Sequence, residues 1–211
     1  NKLIVLDHNE YNLFKIKEEI TDYINSQNLN ITITYLLGSI CDKSFIEHTF
    51  NNHKIDIVFH AAAYKHLNIV EQNIFSSIRN NFNGTYNVAK IANDFKIQRF
   101  ILISTDKAVK PKNIMGASKR LSEIIIHLIS KNSSTIFSIV RFGNVFGSSG
   151  SVYPIFKKQI FEKKKINLTS KEVERYFMTI NEAVSLVIQS STYDLQGKTY
   201  ILNMGKPIKI Y

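Results

Sequence analysis

The sequence predicts an α/β fold, a doubly wound parallel sheet with helices on both faces. Short apolar runs rich in β-branched residues recur at 2–6, 31–37, 55–60, 100–104 and 136–141. Helix-length segments lie between them, and those at 12–24, 75–95 and 117–130 carry apolar residues every three or four positions. Strands that alternate with amphipathic helices are typical of βαβ units and therefore of a parallel sheet.

Each run has strand character of its own. In chain order they read Lys-Leu-Ile-Val-Leu, Ile-Thr-Ile-Thr-Tyr-Leu-Leu, Ile-Asp-Ile-Val-Phe-His, Phe-Ile-Leu-Ile-Ser and Ile-Phe-Ser-Ile-Val-Arg. After residue 150 the pattern loosens into a short helix at 152–162, a polar stretch, a helix at 181–190 and a strand at 199–202. We expect residues 1–150 to form a core and residues 151–211 a small lobe, incomplete at its C-terminus, that covers the carboxyl ends of the strands.

Composition narrows the class of protein. A chain of 211 residues with 44% hydrophobic residues suits one globular unit. It holds no signal peptide and no apolar run near the roughly 20 residues that cross a bilayer, so we expect no membrane contact from this segment. The single cysteine, Cys41, excludes an internal disulfide, and no Cys/His cluster has zinc-ligand spacing. We expect a cytoplasmic protein without a metal site.

The net charge of +10 has two readings. It could mark a nucleic-acid surface, but the lysines are scattered and the one run, Lys163 to Lys165, is short enough to be a solvated helix end. We therefore expect no nucleic-acid partner. A milder reading is that positive potential attracts ligands that carry diphosphates. The chain is rich in Ile, Asn and Lys, and composition does not choose between this role and sequence bias.

The start of the chain bears on cofactor binding. No Gly-x-Gly-x-x-Gly precedes the first helix, and the first residue is already next to a strand, so we expect a fragment without the first βα unit. If 2–7 is a second strand, its terminal Asp7 stands where a dinucleotide fold places the acid that binds the adenosine ribose, which favours NAD over NADP. The alternative, equally weighted, is that Asp7 caps the following helix.

The fourth run ends in reactive side chains. Thr105, Asp106 and Lys107 supply a hydroxyl, a carboxylate and an amine directly after apolar residues. The carboxyl ends of parallel strands face the ligand cleft of an open sheet, so this ending predicts a catalytic cluster. The bland alternative is an ordinary polar exit from a strand.

Met115 and Lys119 lie four residues apart at the start of a helix and share one face of it. This is the spacing of the Tyr-x-x-x-Lys pair in short-chain dehydrogenases, with methionine in place of tyrosine. A thioether has no titratable proton, so Met115 cannot act as a general acid or base and must act by packing.

Together these motifs resemble the extended short-chain dehydrogenase/reductase superfamily, and within it the UDP-N-acetylglucosamine 4,6-dehydratases of polysaccharide biosynthesis. The resemblance rests on Ser-Thr-Asp-Lys-Ala-Val-x-Pro at 104–111 and Met-Gly-Ala-Ser-Lys-Arg at 115–120. It extends over nearly the whole chain through Leu-Asp-His-Asn-Glu at 6–10, Ala-Ala-Ala-Tyr-Lys-His at 61–66, Arg-Phe-Gly-Asn-Val at 141–145, Gly-Ser-Ser-Gly-Ser-Val at 147–152 and Arg-Tyr-Phe-Met-Thr-Ile at 175–180. The methionine variant is similar to a long, membrane-attached subgroup.

The resemblance implies a Rossmann fold, NAD and a UDP-sugar substrate. NAD oxidises C4 of the sugar, water leaves from C5 and C6, and the hydride returns to C6. Lys107 is then the base at C5 and Asp106 the acid for the departing hydroxyl, although the two roles could be reversed. Thr105 binds the C4 hydroxyl and Lys119 the nicotinamide ribose. The acceptor of the C4 hydroxyl proton stays open between Asp106 and a water.

Further roles follow from the same resemblance. Ala61, Ala62 and Ala63 would let the cofactor approach the backbone, with plain tight packing as the alternative. Asn81 is expected to support the active-site loop or the cofactor.

Four residues are expected to bind substrate. Asn144 would touch it, and Arg175 would meet the nucleotide's phosphate or base, with a surface ion pair as the alternative. Lys65 and His66 lie in the cleft or in an exposed loop.

Two rival functions remain. A 4-epimerase or a 5-epimerising dehydratase uses the same scaffold, but a 4-epimerase needs no acid and base pair for elimination, so Thr105, Asp106 and Lys107 argue against it. The rival from another class is a nucleotide-sugar-binding module that has lost catalysis, suggested by Met115 and the absent glycine-rich loop. In each case we expect a homo-oligomer.

Overall fold

The computed structural model describes residues 2–148, 152–165 and 174–209. The helices are α1 (Glu10–Gln27), α2 (Lys43–Asn52), α3 (Leu67–Gln72), α4 (Ile74–Ile78), α5 (Thr85–Asp94), α6 (Ile114–Ser130), α7 (Val152–Phe161) and α8 (Ile180–Ser190). The strands are β1 (Lys2–Asp7), β2 (Thr32–Leu37), β3 (Ile57–His60), β4 (Arg99–Thr105), β5 (Ile136–Phe142), β6 (Asn144–Val145), β7 (Glu174–Arg175), β8 (Phe177–Met178), β9 (Lys198–Ile201) and β10 (Ile208–Lys209).

The main sheet is parallel. Its hydrogen-bonded order is β3-β4-β5-β9, and β1 pairs with β2, also in parallel, as a second, two-stranded piece. All six predicted strands are present within one or two residues of the expected bounds. Two minor pairs, β6-β8 and β7-β10, were not predicted.

Apolar side chains cover both faces of the sheet. Phe100 and Leu102 of β4 point to one face, where they pack with Phe137 and with residues from α2, α5 and α6. Ile101, between them, points to the other face, where Val140 and α8 complete a second cluster. Successive residues of a strand face opposite sides of the sheet, so a strand of apolar residues has both of its faces buried. The predicted doubly wound α/β fold is confirmed.

The predicted helix at 75–95 is present as one helical run over 74–94, but its middle is not α-helical. A π-helical turn spans Arg79–Gly84, between α4 and α5. The shifted hydrogen-bond pattern leaves the Asn81 carbonyl to accept from the hydroxyls of Thr85 at 2.6 Å and Ser122 at 2.7 Å. An ideal Cβ at Gly84 would lie 2.5 Å from the Ile40 side chain, so a larger residue there would require that side chain to move.

The segment after residue 150 contributes to the core as well as to small strand pairs. Its strand β9 joins the main sheet beside β5, and Ala183 of α8 is buried against that sheet. Within the predicted lobe at 151–211, α8 and β9 thus pack with the core, and the division at residue 151 stays a prediction. Gly150, with the rest of 149–151, lies outside the described residues. Within the described part of the chain, no helix has the length and apolar character needed to cross a membrane.

Candidate active site

The three polar residues at the end of β4 form one hydrogen-bonded cluster. Thr105 is the last residue of the strand, and a 3-10 turn covers Asp106–Ala108. The Thr105 hydroxyl donates to Asp106 Oδ1 at 2.9 Å, and the Lys107 amine donates to the same oxygen at 3.0 Å. The Asp106 and Lys107 side chains are 47% and 31% exposed, so the cluster is accessible to a ligand.

The amino end of α6 packs against this cluster. Asn113 caps the helix by accepting from the Gly116 backbone at 2.8 Å, and Glu71 of α3 accepts from the Ile114 backbone at 2.7 Å. An ideal Cβ at Gly116 would lie only 2.6 Å from the Lys107 carbonyl oxygen. The helix starts at residue 114 rather than 117 as expected, and the additional turn carries Met115, which is buried.

Lys119 is a buried amine behind the strand end. Its side chain donates to the Ile103 carbonyl at 2.5 Å. Burial lowers the pKa of Lys119 from 10.5 to about 8, although the nearby charge of Glu123 opposes the fall. His60, at the end of β3, is also buried and pairs with the Thr85 hydroxyl at 2.9 Å. Burial, and then the charge of Lys119, lower the pKa of His60 to about 3.

Asn81 fastens the loop that follows β3. Its side-chain oxygen accepts from the Tyr64 backbone at 2.7 Å, and its amide donates to the Tyr64 carbonyl and to the Ser118 hydroxyl, both at 3.0 Å. Both amide hydrogens are thereby used within the protein. This arrangement favours support of the loop over direct contact with a cofactor. The link to Ser118 ties that loop to α6.

The carboxyl end of β1 lies beside the same loop. The His8 and Tyr64 rings meet edge to face with centroids 6.0 Å apart. Asn9, not Asp7, caps α1, since its side chain accepts from the Asn12 backbone at 3.0 Å. The Asp7 carboxylate accepts from the Asn9 backbone at 2.8 Å and is 38% exposed. The capping alternative for Asp7 is therefore removed.

The segment at 61–66 is open. Ala61 and Ala62 are exposed and Ala63 is half-buried, so tight packing does not explain these small residues in the described structure. Lys65 and His66 are exposed too. Partial desolvation nevertheless lowers the pKa of the Lys65 amine.

The predicted substrate residues of the second half, Asn144 and Arg175, lie on the short strands β6 and β7 that follow β5. Gly143 approaches the cluster closely, since an ideal Cβ there would lie 3.2 Å from Asp106 Oδ2. Its neighbour Asn144 is half-buried and donates to the Tyr176 carbonyl at 3.2 Å. Arg175 is exposed on β7, where its guanidinium donates to the Glu174 carbonyl at 2.8 Å. The structure thus brings Gly143, the neighbour of Asn144, to Asp106 and leaves Arg175 on an exposed strand.

A buried ionic network behind the site was missed by sequence reasoning. Glu123 of α6 is fully buried and accepts from Ser104, Arg120 and Arg141. The signal in the sequence was the charge of Arg141 inside the predicted strand at 136–141, because a charge buried there needs a partner. Among the residues described, no group of His, Cys, Asp and Glu could hold a metal ion.

Comparison of the sequence with known protein families identifies the family of this chain. Residues 1–211 match the profile of the family described as "Polysaccharide biosynthesis protein". The chain belongs to this family. The resemblance inferred from the motifs is confirmed.

Among curated members, the chain is 42% identical to the capsular polysaccharide biosynthesis protein CapD of Staphylococcus aureus, over 99% of this chain and 35% of that protein. It is 32% identical to a UDP-N-acetylglucosamine 4,6-dehydratase (inverting) of Campylobacter jejuni, over 95% of this chain and 58% of that protein. A UDP-glucose 4-epimerase of Rickettsia bellii is also 32% identical, over 94% and 58%. The chain therefore spans between about a third and three fifths of the length of these relatives.

Two solved structures share the fold of this chain. Pen from Bacillus thuringiensis superposes with a TM-score of 0.86 at 37% identity, over 95% of this chain and 60% of that one. DesIV from Streptomyces venezuelae, a dTDP-glucose 4,6-dehydratase with NAD bound, superposes with a TM-score of 0.85 at 17% identity, over 99% and 68%. The second likeness supports the fold alone. Enzymes that act on sugar nucleotides recur among the relatives.

Proposed function

We propose that this protein is an NAD-dependent 4,6-dehydratase of a UDP-N-acetylhexosamine, UDP-N-acetylglucosamine in the first place. The observation that carries the proposal is the cluster of Thr105, Asp106 and Lys107 at the carboxyl end of β4, with a buried Lys119 behind it. Elimination of water requires a base at C5 and an acid at the C6 hydroxyl. The amine and the carboxylate are one of each type.

The residues around the cluster suit NAD. The small, exposed Ala61 and Ala62 leave backbone accessible at the end of β3, and the Asp7 carboxylate at the end of β1 can accept hydrogen bonds from ribose hydroxyls. Lys119 would hold the nicotinamide ribose. When bound, NAD takes a hydride from C4 and returns it to C6.

The ion pair of Lys107 and Asp106 can supply both the base and the acid of the elimination, because one proton can move from the amine to the carboxylate. Transfer of one proton from Lys107 Nζ to Asp106 Oδ1, across the 3.0 Å hydrogen bond, gives a neutral amine and a carboxylic acid. A sugar that covers the pair removes water, and desolvation favours these uncharged forms. Lys107 then accepts the C5 proton and Asp106 gives its proton to the departing C6 hydroxyl. This step restores the ammonium and the carboxylate.

The remaining chemistry closes the proton balance. Thr105, which donates to Asp106 in the structure, would turn its hydroxyl to the C4 oxygen. Lys107 returns a proton to C5 as C6 is reduced. The C4 hydroxyl loses its proton to a water in the first step, because Asp106 then already carries the proton from Lys107. One proton taken up from water after the reaction restores the Lys107 ammonium.

Substrate contacts are assigned to the loops that surround the cluster. Asn144 would meet the sugar, because the adjoining Gly143 lies against Asp106. Arg175 offers a planar fork for a phosphate, and Lys65 and His66 offer further donors on the open side. A cytoplasmic location is supported by the free thiol of Cys41.

We also propose that the protein is a homo-oligomer. The support is an exposed apolar stripe on α6 formed by Leu121, Ile124 and Leu128, which are 43%, 41% and 53% exposed. Light scattering that gives the mass of a single chain at micromolar concentration would rule this out.

The test of the activity is to incubate the full-length protein with UDP-N-acetylglucosamine and to analyse the product by mass spectrometry and NMR. A 4-keto-6-deoxy product, lighter by one water, is expected. Lys107→Ala and Asp106→Asn should abolish it, whereas Met115→Ala should reduce it modestly because Met115 packs and transfers no proton.

Other products would assign other functions. A product of unchanged mass with inverted C4 is the outcome for the 4-epimerase, which the Rickettsia relative favours. Binding of the sugar nucleotide without any product would favour the inert module. The stereochemistry at C5 separates the 5-epimerising from the retaining dehydratase.

A further inference from the structure

The strongest feature that the proposed mechanism does not use is the buried carboxylate of Glu123. Its Oε1 accepts from the Ser104 hydroxyl at 2.7 Å and from Arg141 Nε at 2.7 Å. Its Oε2 accepts from Arg141 Nη2 at 2.6 Å and from Arg120 Nη1 at 3.1 Å. A carboxylate offers about four acceptor positions, and here each is used. The pair with Arg141 is the two-pronged geometry that fixes direction as well as distance.

Glu123 is charged in the folded protein. Burial by itself would raise the pKa of its carboxyl group, but the hydrogen bonds from Arg141, Ser104 and Arg120 outweigh burial and lower the pKa. The ionised carboxylate therefore holds its three partners through charge-assisted bonds, which are shorter and stronger than neutral ones.

The partners of Glu123 stand directly behind the active site. Ser104 and Arg141 are opposite each other in the register of β4 and β5. The next residue after Ser104 is Thr105, and Gly143, which lies against Asp106, follows two residues after Arg141. Glu123 thus ties α6 to two neighbouring strands at the point where both strands enter the site.

A second bond makes the attachment of α6 to β4 rigid. Lys119, one turn before Glu123, donates to the Ile103 carbonyl at 2.5 Å. Two consecutive turns of α6 are therefore bonded to two consecutive residues of β4. The distance from Lys119 to the Thr105–Lys107 segment is then fixed by bonded contacts and does not depend on apolar packing alone.

Stability alone is a weak reason for such a group. A buried ion pair replaced by apolar residues of similar size often leaves a protein equally stable, because desolvation cancels most of the attraction. Apolar contacts, unlike hydrogen bonds, do not fix the orientation of the groups that they join. A displacement of about 1 Å at a reacting group can cost about 100-fold in rate.

We propose that Glu123 is a positioning residue for the dehydration, which sets the Thr105–Lys107 cluster against Lys119 and the loop of Gly143. The proposal rests on the proposed function. Glu123 touches neither substrate nor cofactor and acts through Ser104 and Arg141.

The test compares stability with turnover in the full-length protein. The double variant Glu123→Leu/Arg141→Met removes the buried ion pair and leaves Arg120, whose side chain is 43% exposed, to water. Its melting temperature should therefore stay within about 4 °C of the wild type. Its kcat for UDP-N-acetylglucosamine should fall roughly 10- to 100-fold, with KM changed less than about 3-fold, because binding contacts remain while the reacting groups are displaced. Glu123→Gln should lower kcat too.

The matched control is the ion pair at the other end of the same strand, between Arg99 and Asp194. Arg99→Met/Asp194→Asn should leave kcat within about 2-fold of the wild type, since that end lies away from the site. Amide hydrogen exchange gives a readout that does not need turnover. It should become faster at 105–108 and 142–145 in the Glu123→Leu/Arg141→Met protein and unchanged there in the control.

The outcomes separate the two proposals. If the Glu123→Leu/Arg141→Met protein is as stable and as active as the wild type, or exchange at 105–108 is unchanged, the positioning role is overturned. If that variant fails to fold, the kcat and the hydrogen exchange at 105–108 of Glu123→Gln test the positioning role by the same criteria. A wild-type protein that yields no 4-keto product overturns the dehydratase, and the exchange result then still decides whether Glu123 orders the strand ends.

Discussion

The amine of Lys119 should make the protein more stable as the pH rises above 8. The unfolded chain binds a proton at this residue with a pKa of 10.5, whereas the folded protein binds it with a pKa of about 8. Between these values the unfolded state holds more protons, so alkaline pH favours folding, and below pH 8 the full cost of the buried charge is present. The fall from 10.5 to about 8 corresponds to about 3 kcal/mol.

The perturbation that isolates this cost is Lys119→Met, which keeps a long side chain and removes the charge. The lost hydrogen bond to Ile103 offsets part of the gain, so the variant should be about 1 to 2 kcal/mol more stable than the wild type at pH 7. As the wild-type amine loses its proton, the wild type should gain about 3 kcal/mol relative to the variant between pH 7 and 10.5.

The assay is urea denaturation followed by far-UV circular dichroism, because the chain contains no tryptophan. It is run without nucleotide at pH 7, 8, 9 and 10.5. Other groups that titrate in this window are common to both proteins and cancel in the difference. Lys15→Met is the control, since the Lys15 side chain is 66% exposed and has little desolvation to relieve. Parallel stability profiles for Lys119→Met and the wild type would refute the reasoning.

Three further results are expected. Folding lowers the pKa of His60 from 6.5 to about 3, so between pH 7 and 4 a proton binds this residue in the unfolded chain only. The wild type should therefore lose about 3 kcal/mol of stability over this range that His60→Gln keeps, which acid denaturation of the two proteins would measure. Gly116→Ala should lower the melting temperature and the turnover, because its Cβ would lie 2.6 Å from the Lys107 carbonyl; the stabilisation usual for alanine in a helix would contradict this contact. Asn81→Ala leaves the Tyr64 backbone unpaired and should cost about 2 to 4 kcal/mol in urea denaturation, with faster hydrogen exchange at 61–66; unchanged exchange would count against the clamp.

The parallel sheet was predictable because its strands are buried on both faces. Between Arg99 and Ser104, a strand such as β4 then has only apolar residues, and such a run is easy to recognise in the sequence. The helix α2 left no such mark, since Phe45, Ile46 and Phe50 are its only large apolar residues. The π-helical turn at Arg79–Gly84 was not predictable either, because it changes the hydrogen-bond partner and not the residue types.

The site was predictable where chemistry stands at the end of a strand. Thr105, Asp106 and Lys107 were found by that rule, and the structure brings them into one cluster. Glu123 was missed because a single glutamate on an amphipathic helix ordinarily faces solvent. Its burial depends on Arg141, which lies eighteen residues later on another element, so that pairing exists only in the folded chain.

The π-helical turn changes the direction in which side chains point after it, so α4 and α5 present different faces to their surroundings. One additional residue in a turn rotates everything after it by about 100° relative to an uninterrupted α-helix. Asn81 can thereby face Tyr64 while Val88 and Ala92, about two and three turns after it, still face the core. Deleting a single residue from 79–84 would force a choice between those two orientations. Homologous chains should therefore vary in length at the loops on either side of this rod and keep the rod itself at constant length.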